Sequence, residues 1–137
     1  MKRFIIWHIA SFLLLCAASP LHAKEDPVQV KGMWVWDYSN AVHTEEKREQ
    51  LLQFAQKNNM NLLFVGTRRT LSDHPEEYAD LIQRAHERGI RLYALAGEAS
   101  WALEDRHDVA LEHIQQVLDF NKSHPLTPFD GIQLDIE

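Results

Sequence analysis

The chain of 137 residues predicts an α/β fold, specifically the N-terminal half of a (β/α)8 barrel following a signal peptide. Two observations lead there. Short apolar runs rich in strand formers begin at residues 32, 61, 90 and 130, and helical patterns fill the intervals between them. Such regular alternation argues for parallel strands joined by crossover helices, in a closed barrel or an open doubly wound sheet. The turn after the first run, Asp37-Tyr38-Ser39-Asn40, contains no glycine, which weakens the nucleotide-binding form of the open sheet. A complete barrel needs about 250 residues, so four strands and three helices make roughly half of one.

The first 23 residues are read apart from the fold. Lys2 and Arg3 give a positive start, an apolar run extends from Phe4 to Ala18, and Leu21-His22-Ala23 is a small-residue exit. That order describes a secretory signal peptide cleaved after Ala23. The rival is a membrane anchor, for which the run is short of the ~20 residues a spanning helix needs. Cys16 suggests a lipoprotein site, but Leu15 is large for the residue before such a cysteine. A secreted or periplasmic location is expected, with no stable membrane insertion after cleavage. The exported part has no cysteine, so it folds without disulfides. All 20 acidic residues but only 12 of the 14 basic ones lie beyond residue 23. An acidic surface argues against nucleic acid as partner and is compatible with a neutral carbohydrate.

Residues 24–31 form a polar lead-in, and the domain is expected over 24–137. The first strand is Gly32-Met33-Trp34-Val35-Trp36-Asp37. A helix begins near Thr44, with Glu45 and Glu46 where negative charge suits the helix dipole. Leu51, Leu52, Phe54 and Ala55 form its apolar face, and Asn58 and Asn59 stop it. The second strand runs from Asn61 to Gly66. Pro75 fits the first position of the second helix, Tyr78, Leu81, Ile82 and Ala85 recur at helical spacing, and Gly89 ends it. The third strand spans Ile90–Gly97. The third helix carries Ala110, Leu111, Ile114, Val117 and Leu118 and ends before Pro125. The fourth strand is Asp130-Gly131-Ile132-Gln133-Leu134-Asp135-Ile136-Glu137.

This last strand has the wrong polarity for a buried stave. A parallel strand covered on both faces reads as a continuous apolar run. Here Ile132, Leu134 and Ile136 share one face, and Gln133, Asp135 and Glu137 the other. The aliphatic face suits a helix layer. The polar face then points to the barrel interior and rises toward the C-terminal mouth, where barrel enzymes keep their chemistry. Burying carboxylates without partners costs several kcal/mol or more. Two acids so close raise each other's proton affinity, which keeps one protonated as an acid near neutral pH. An exposed edge strand with one wet face, or a pair met by arginines, is the structural alternative. No histidine lies near Asp135 or Glu137 in sequence to complete a ligand set, so neither metal nor cofactor is expected, although a metal-dependent barrel enzyme using these two acids stands as an alternative.

The segment Asp130-Gly131-Ile132-Gln133-Leu134-Asp135-Ile136-Glu137 resembles the Asp-Gly-x-Asp-x-Asp-x-Glu signature of family 18 glycoside hydrolases, the chitinase-like (β/α)8 enzymes. It is also similar to the fourth strand of related sugar-hydrolase-like barrels. Gln133 stands where that signature has its middle aspartate. Ala94-Leu95-Ala96-Gly97-Glu98 stands where the family has Ser-x-Gly-Gly. The resemblance implies hydrolysis of O-glycosidic bonds, with Glu137 as general acid/base and Asp135 orienting the substrate's N-acetyl group. The second reading is a non-catalytic carbohydrate-binding barrel.

Further candidates lie at the predicted strand ends. Trp34 is read as core filling. Trp36 and Trp101 suit core filling or stacking on a sugar ring equally well. Asp37 either bonds a sugar hydroxyl or caps the next turn. Glu98 is a further carboxylate of the site or a solvated loop residue, Gln133 joins the inward face, and Arg68 and Arg69 either neutralise the acidic mouth or are surface charges. The histidines after the leader, His86, His107 and His113 among them, are read as surface residues. Because the chain stops at Glu137, the polypeptide alone is expected to be inactive. It is also expected to be unstable, or to self-associate through the unpaired edge of its fourth strand.

Overall fold

The computed structural model describes residues 29–137, and the signal-peptide reading of residues 1–23 lies outside them. Four parallel strands form one sheet in sequential order: β1 (Gly32–Val35), β2 (Leu62–Gly66), β3 (Arg91–Ala96) and β4 (Gly131–Leu134). The order does not reverse within these four strands, as it would at the switch point of a doubly wound sheet. Between strands lie a single helical turn α1 (Tyr38–Ala41), then α2 (Glu45–Lys57), α3 (Pro75–His86) and α4 (His107–Ser123). Two 3-10 turns, Ala99–Ala102 and Glu104–Arg106, precede α4. Neither α1 nor these turns has a periodic signature long enough to read from sequence. No helix among the described residues is long and apolar enough to cross a membrane.

The register puts Val35, Val65, Ala94 and Ile132 side by side. With Met33, Leu63 and Leu92 they make the face on which the helices pack. Leu52 and Ala55 of α2, Leu81, Ile82 and Ala85 of α3, and Val117 and Phe120 of α4 close this core. A fully buried leucine such as Leu63 or Leu92 contributes about 1.5–3 kcal/mol. The opposite face carries Trp34, Phe64 and Tyr93, adjacent rings with centroids 5.7 Å apart from one strand to the next. Trp34 is 46% exposed there: its position falls on the face without helices, not in the core on which the helices pack.

The helices begin and end as their caps dictate. Thr44 accepts from the Lys47 N–H at the start of α2, and Pro75 opens α3. Gly89, with φ +69°, takes the left-handed position after α3, where any side chain would be strained. The apolar faces differ in part from expectation. Phe54 on α2, and Leu111 and Leu118 on α4, are exposed. The buried stripe of α4 is Ala110, His113, Val117 and Phe120 instead. Two stripes one residue apart are equally helical in period. Docking on β3 and Phe129 selects the one that lets the Phe120 ring meet Phe129 at 5.3 Å.

Ion pairs tie α2 to α3. Arg48 is buried, bonding Asp80 at 2.6 Å and the Val42 carbonyl at 2.7 Å, while Arg84 bonds Asp80 at 2.9 Å. Burial pushes the Asp80 carboxyl up, but hydrogen bonds from Arg84 and Arg48 outweigh it and hold the group below the usual carboxylate range. At the N-terminal end of β4, Asp130 accepts from the Leu92 N–H at 2.8 Å and meets His86 Nε2 at 2.9 Å. It anchors β4 to β3 at the end away from Glu137.

Candidate functional site

At the C-terminal ends of β1, β2 and β3 lies a cleft of about 340 Å³. Trp36 and Tyr38 from the first strand end, Thr67, Arg68 and Arg69 from the second, and Gly97 from the third form its walls. Trp36 is 52% exposed, so its ring has a face open to a ligand. Its centroid lies 5.8 Å from that of Trp34, which extends the aromatic surface down the open face of the sheet.

The fourth strand, expected to run to Glu137, ends at Leu134, so Asp135 and Glu137 follow β4, and neither lines this cleft. Ile132 packs into the main core and Leu134 against Trp101 and Ala110, so the aliphatic side of β4 is turned toward the helices. Gln133 alternates to the open face, half-buried, in register with Leu95. Its side-chain amide donates to the Leu134 carbonyl at 3.0 Å. The ladder continues one residue further, where the Asp135 N–H donates to the Ala96 carbonyl at 2.9 Å. Asp135 is half-buried at the end of that ladder, and Glu137 is exposed two residues on. The Asp135 backbone crosses directly over Gly97, where an added Cβ would fall inside the Asp135 carbonyl group. Gly97 thus links the cleft to the acidic strand end.

The other candidates are engaged with protein groups. The Asp37 carboxylate caps α1, accepting from the Asn40 amide N–H at 3.2 Å and from its side-chain Nδ2 at 2.5 Å. These bonds, the side-chain one foremost, hold its pKa below the usual value. Glu98 pairs with Arg68, whose hydrogen bond and charge lower the carboxyl's pKa. Trp101 is buried, with the Arg68 guanidinium 5.2 Å from its ring centroid, so it offers that face to Arg68 and not to a ligand. The geometry therefore gathers Trp36, Gly97 and Asp135 around one opening. Asp37, Glu98 and Trp101 do not line the cleft, each being held by a protein group instead. Among the described residues no group of three or more His, Cys, Asp or Glu is arranged to hold a metal ion.

One functional neighbour had no signal in the sequence. His113, expected on the surface, is only 3% exposed, wedged behind the cleft against Thr67 and Trp101. Thr67 donates its one hydroxyl proton to the Leu95 carbonyl at 3.3 Å, so it accepts from His113 Nε2–H, also at 3.3 Å. Nδ1 then carries the lone pair, buried and without a hydrogen-bond partner among the described residues. A histidine within an amphipathic helix is as often outside as inside, and only the rotation of α4 turned this one inward.

His113 has a measurable consequence. Burial, and secondarily the charge of Arg68, lower its pKa from the ordinary 6.5, so the folded protein holds it neutral. The folded state takes up this proton less readily than the unfolded chain. Its contribution is therefore complete above pH 6.5 and declines as pH falls through that value. A His113→Leu variant is expected to lose less thermal stability than the parent between pH 7 and about pH 5.5. Parallel melting curves at the two pH values check this, and equal losses would contradict it.

Comparisons with family models, with curated proteins and with solved structures find no match to this chain.

Proposed function

We propose that this protein is a carbohydrate-active barrel domain, exported by its leader, that hydrolyses O-glycosidic bonds in a polysaccharide or glycan. Glu137 serves as general acid/base and Asp135 as its electrostatic partner. The sheet is one half of a (β/α)8 wall in this reading: sequential parallel order and helices confined to one face are what such a half requires. The observation that carries the proposal is the polarity of β4. Its aliphatic side chains enter the helix layer, and Gln133 faces away from the helices, leading to Asp135 at the C-terminal rim. Had Ile132 and Leu134 faced the other way, Gln133 would point into the helix layer; Ile136, past the end of β4, is 41% exposed and does not share their burial.

The surroundings fit this chemistry. An open indole face at Trp36 suits the apolar face of a sugar ring. Arg68, which lines the same cleft, is paired with Glu98 and lies over the buried Trp101 ring. Trp36 binds the ring, and Asp135 stabilises the charge that develops on the sugar. Glu137 gives a proton to the leaving oxygen, then takes one back from water or the attacking group.

The test is a panel of fluorogenic glycosides, uronides included, offered to the full-length protein. Fluorophore release from at least one of them is expected. Saccharide binding without release would leave a lectin-like barrel, and neither binding nor release would end the carbohydrate reading.

A further inference from the structure

The cleft at the strand ends carries charge of the opposite sign to the chain as a whole. The sequence has 20 acidic residues against 14 basic ones. Yet among the described residues the formally charged side chains lining this cleft are Arg68 and Arg69. Arg68 is already committed, paired with Glu98 and laid over Trp101. Arg69 is exposed and makes no ion pair or side-chain hydrogen bond among the described residues. One positive charge is thus left available in the cleft, on the β2 side. The Asp135 backbone lies over Gly97, the residue after β3.

A guanidinium presents a planar fork of donors that matches a carboxylate or a sulfate with two parallel hydrogen bonds. The open ring of Trp36 lines the same cleft. Its volume of about 340 Å³ is at the lower end of the roughly 300–1,000 Å³ typical of small-molecule sites, enough for a ring and its substituent. We propose that the cleft takes a sugar unit bearing an anionic group, a uronate carboxylate or a sulfate ester, with Arg69 gripping the anion and Trp36 stacking on the ring. The inference rests on the sugar-hydrolase reading of this site and names its substrate class. With the anion drawn to the β2 side, the bond to be cleaved lies toward β4, and the substrate's charge is kept away from Asp135 and Glu137. A neutral sugar lacks the charge that makes the pairing with Arg69 bidentate and charge-assisted.

Isothermal titration of the full-length protein with tetragalacturonate, a chondroitin sulfate tetrasaccharide and neutral cellotetraose tests this. One anionic probe is expected to bind at least about tenfold tighter than cellotetraose, the size of one charge-assisted hydrogen-bonded contact. The two anionic arms distinguish carboxylate from sulfate. Added salt is expected to narrow the preference. Arg69→Gln is expected to bring the anionic probes to within about twofold of cellotetraose, while the melting temperature stays the same, since Arg69 has no ion pair or side-chain hydrogen bond to lose among the described residues. Cellotetraose binding as tightly as both anionic probes would overturn the anionic-sugar inference and leave the hydrolase reading intact. A preference that survives in Arg69→Gln would overturn the assignment to Arg69. Failure of every saccharide to bind or to be cleaved would remove both proposals together.

Discussion

Glu137→Gln is expected to lower kcat on a natural glycoside by about 10²–10⁴-fold, with KM little changed. The amide keeps the shape of the carboxyl group but has no proton to give to a departing oxygen. Glu137 is exposed and makes no ion pair among the described residues, so the melting temperature is expected to stay the same. The loss therefore separates chemistry from folding. Acid catalysis also leaves a signature in the leaving group. A fluorogenic phenolate departs with little protonation, so the deficit on such a substrate is expected to be smaller than on an alkyl glycoside. Equal deficits on both, or an unaltered kcat, would take Glu137 out of the proton-transfer step.

Gly97→Ala is expected to destabilise the protein by about 3 kcal/mol, the upper part of the range for overpacking, because the obstacle is backbone. Ordinarily a glycine-to-alanine change in a strand is mild or favourable. Here the added methyl group would overlap the Asp135 carbonyl, which cannot swing aside as a side chain would. Either β4 shifts off β3, breaking the Asp135–Ala96 hydrogen bond, or the strand end of β3 bends. Both movements displace the acids. A misplacement of about 1 Å costs roughly 10²-fold in rate, so activity is expected to fall even in molecules that remain folded. Urea denaturation of the variant beside Gly66→Ala measures the first effect. Gly66 also faces backbone, but its added Cβ would stand 3.0 Å from the Trp36 carbonyl, a milder conflict. Equal stability of Gly97→Ala and the parent would refute the steric account.

How far the residues speak for themselves differs from element to element. The four strand segments were legible because each is a short apolar run between turn residues, and α2 and α3 because Thr44, Pro75 and Gly89 mark helix ends through local backbone geometry. Such signals need no knowledge of what lies across the core. The alternation of β4 was legible for the same reason, since successive side chains must fall on opposite faces. The inward stripe of α4 was not, because Leu111 and Leu118 are as apolar as Val117 and Phe120. The roles of Asp37, Glu98 and Trp101 were likewise open, since each depends on a partner elsewhere in space, or in Asp37's case on a local turn that periodicity does not reveal.

The sequence alone therefore determined the alternating strand–helix order, the caps that bound α2 and α3, and the two-faced character of the terminal strand. All of these follow from backbone geometry acting over a few residues. Only the tertiary structure decided the sequential parallel pairing, the burial of His113, the capture of Glu98 by Arg68, and the crossing of Asp135 over Gly97. Those outcomes join residues about 30 to 46 positions apart. They are selected by packing and charge between whole elements, for which no local pattern in the chain carries a signal.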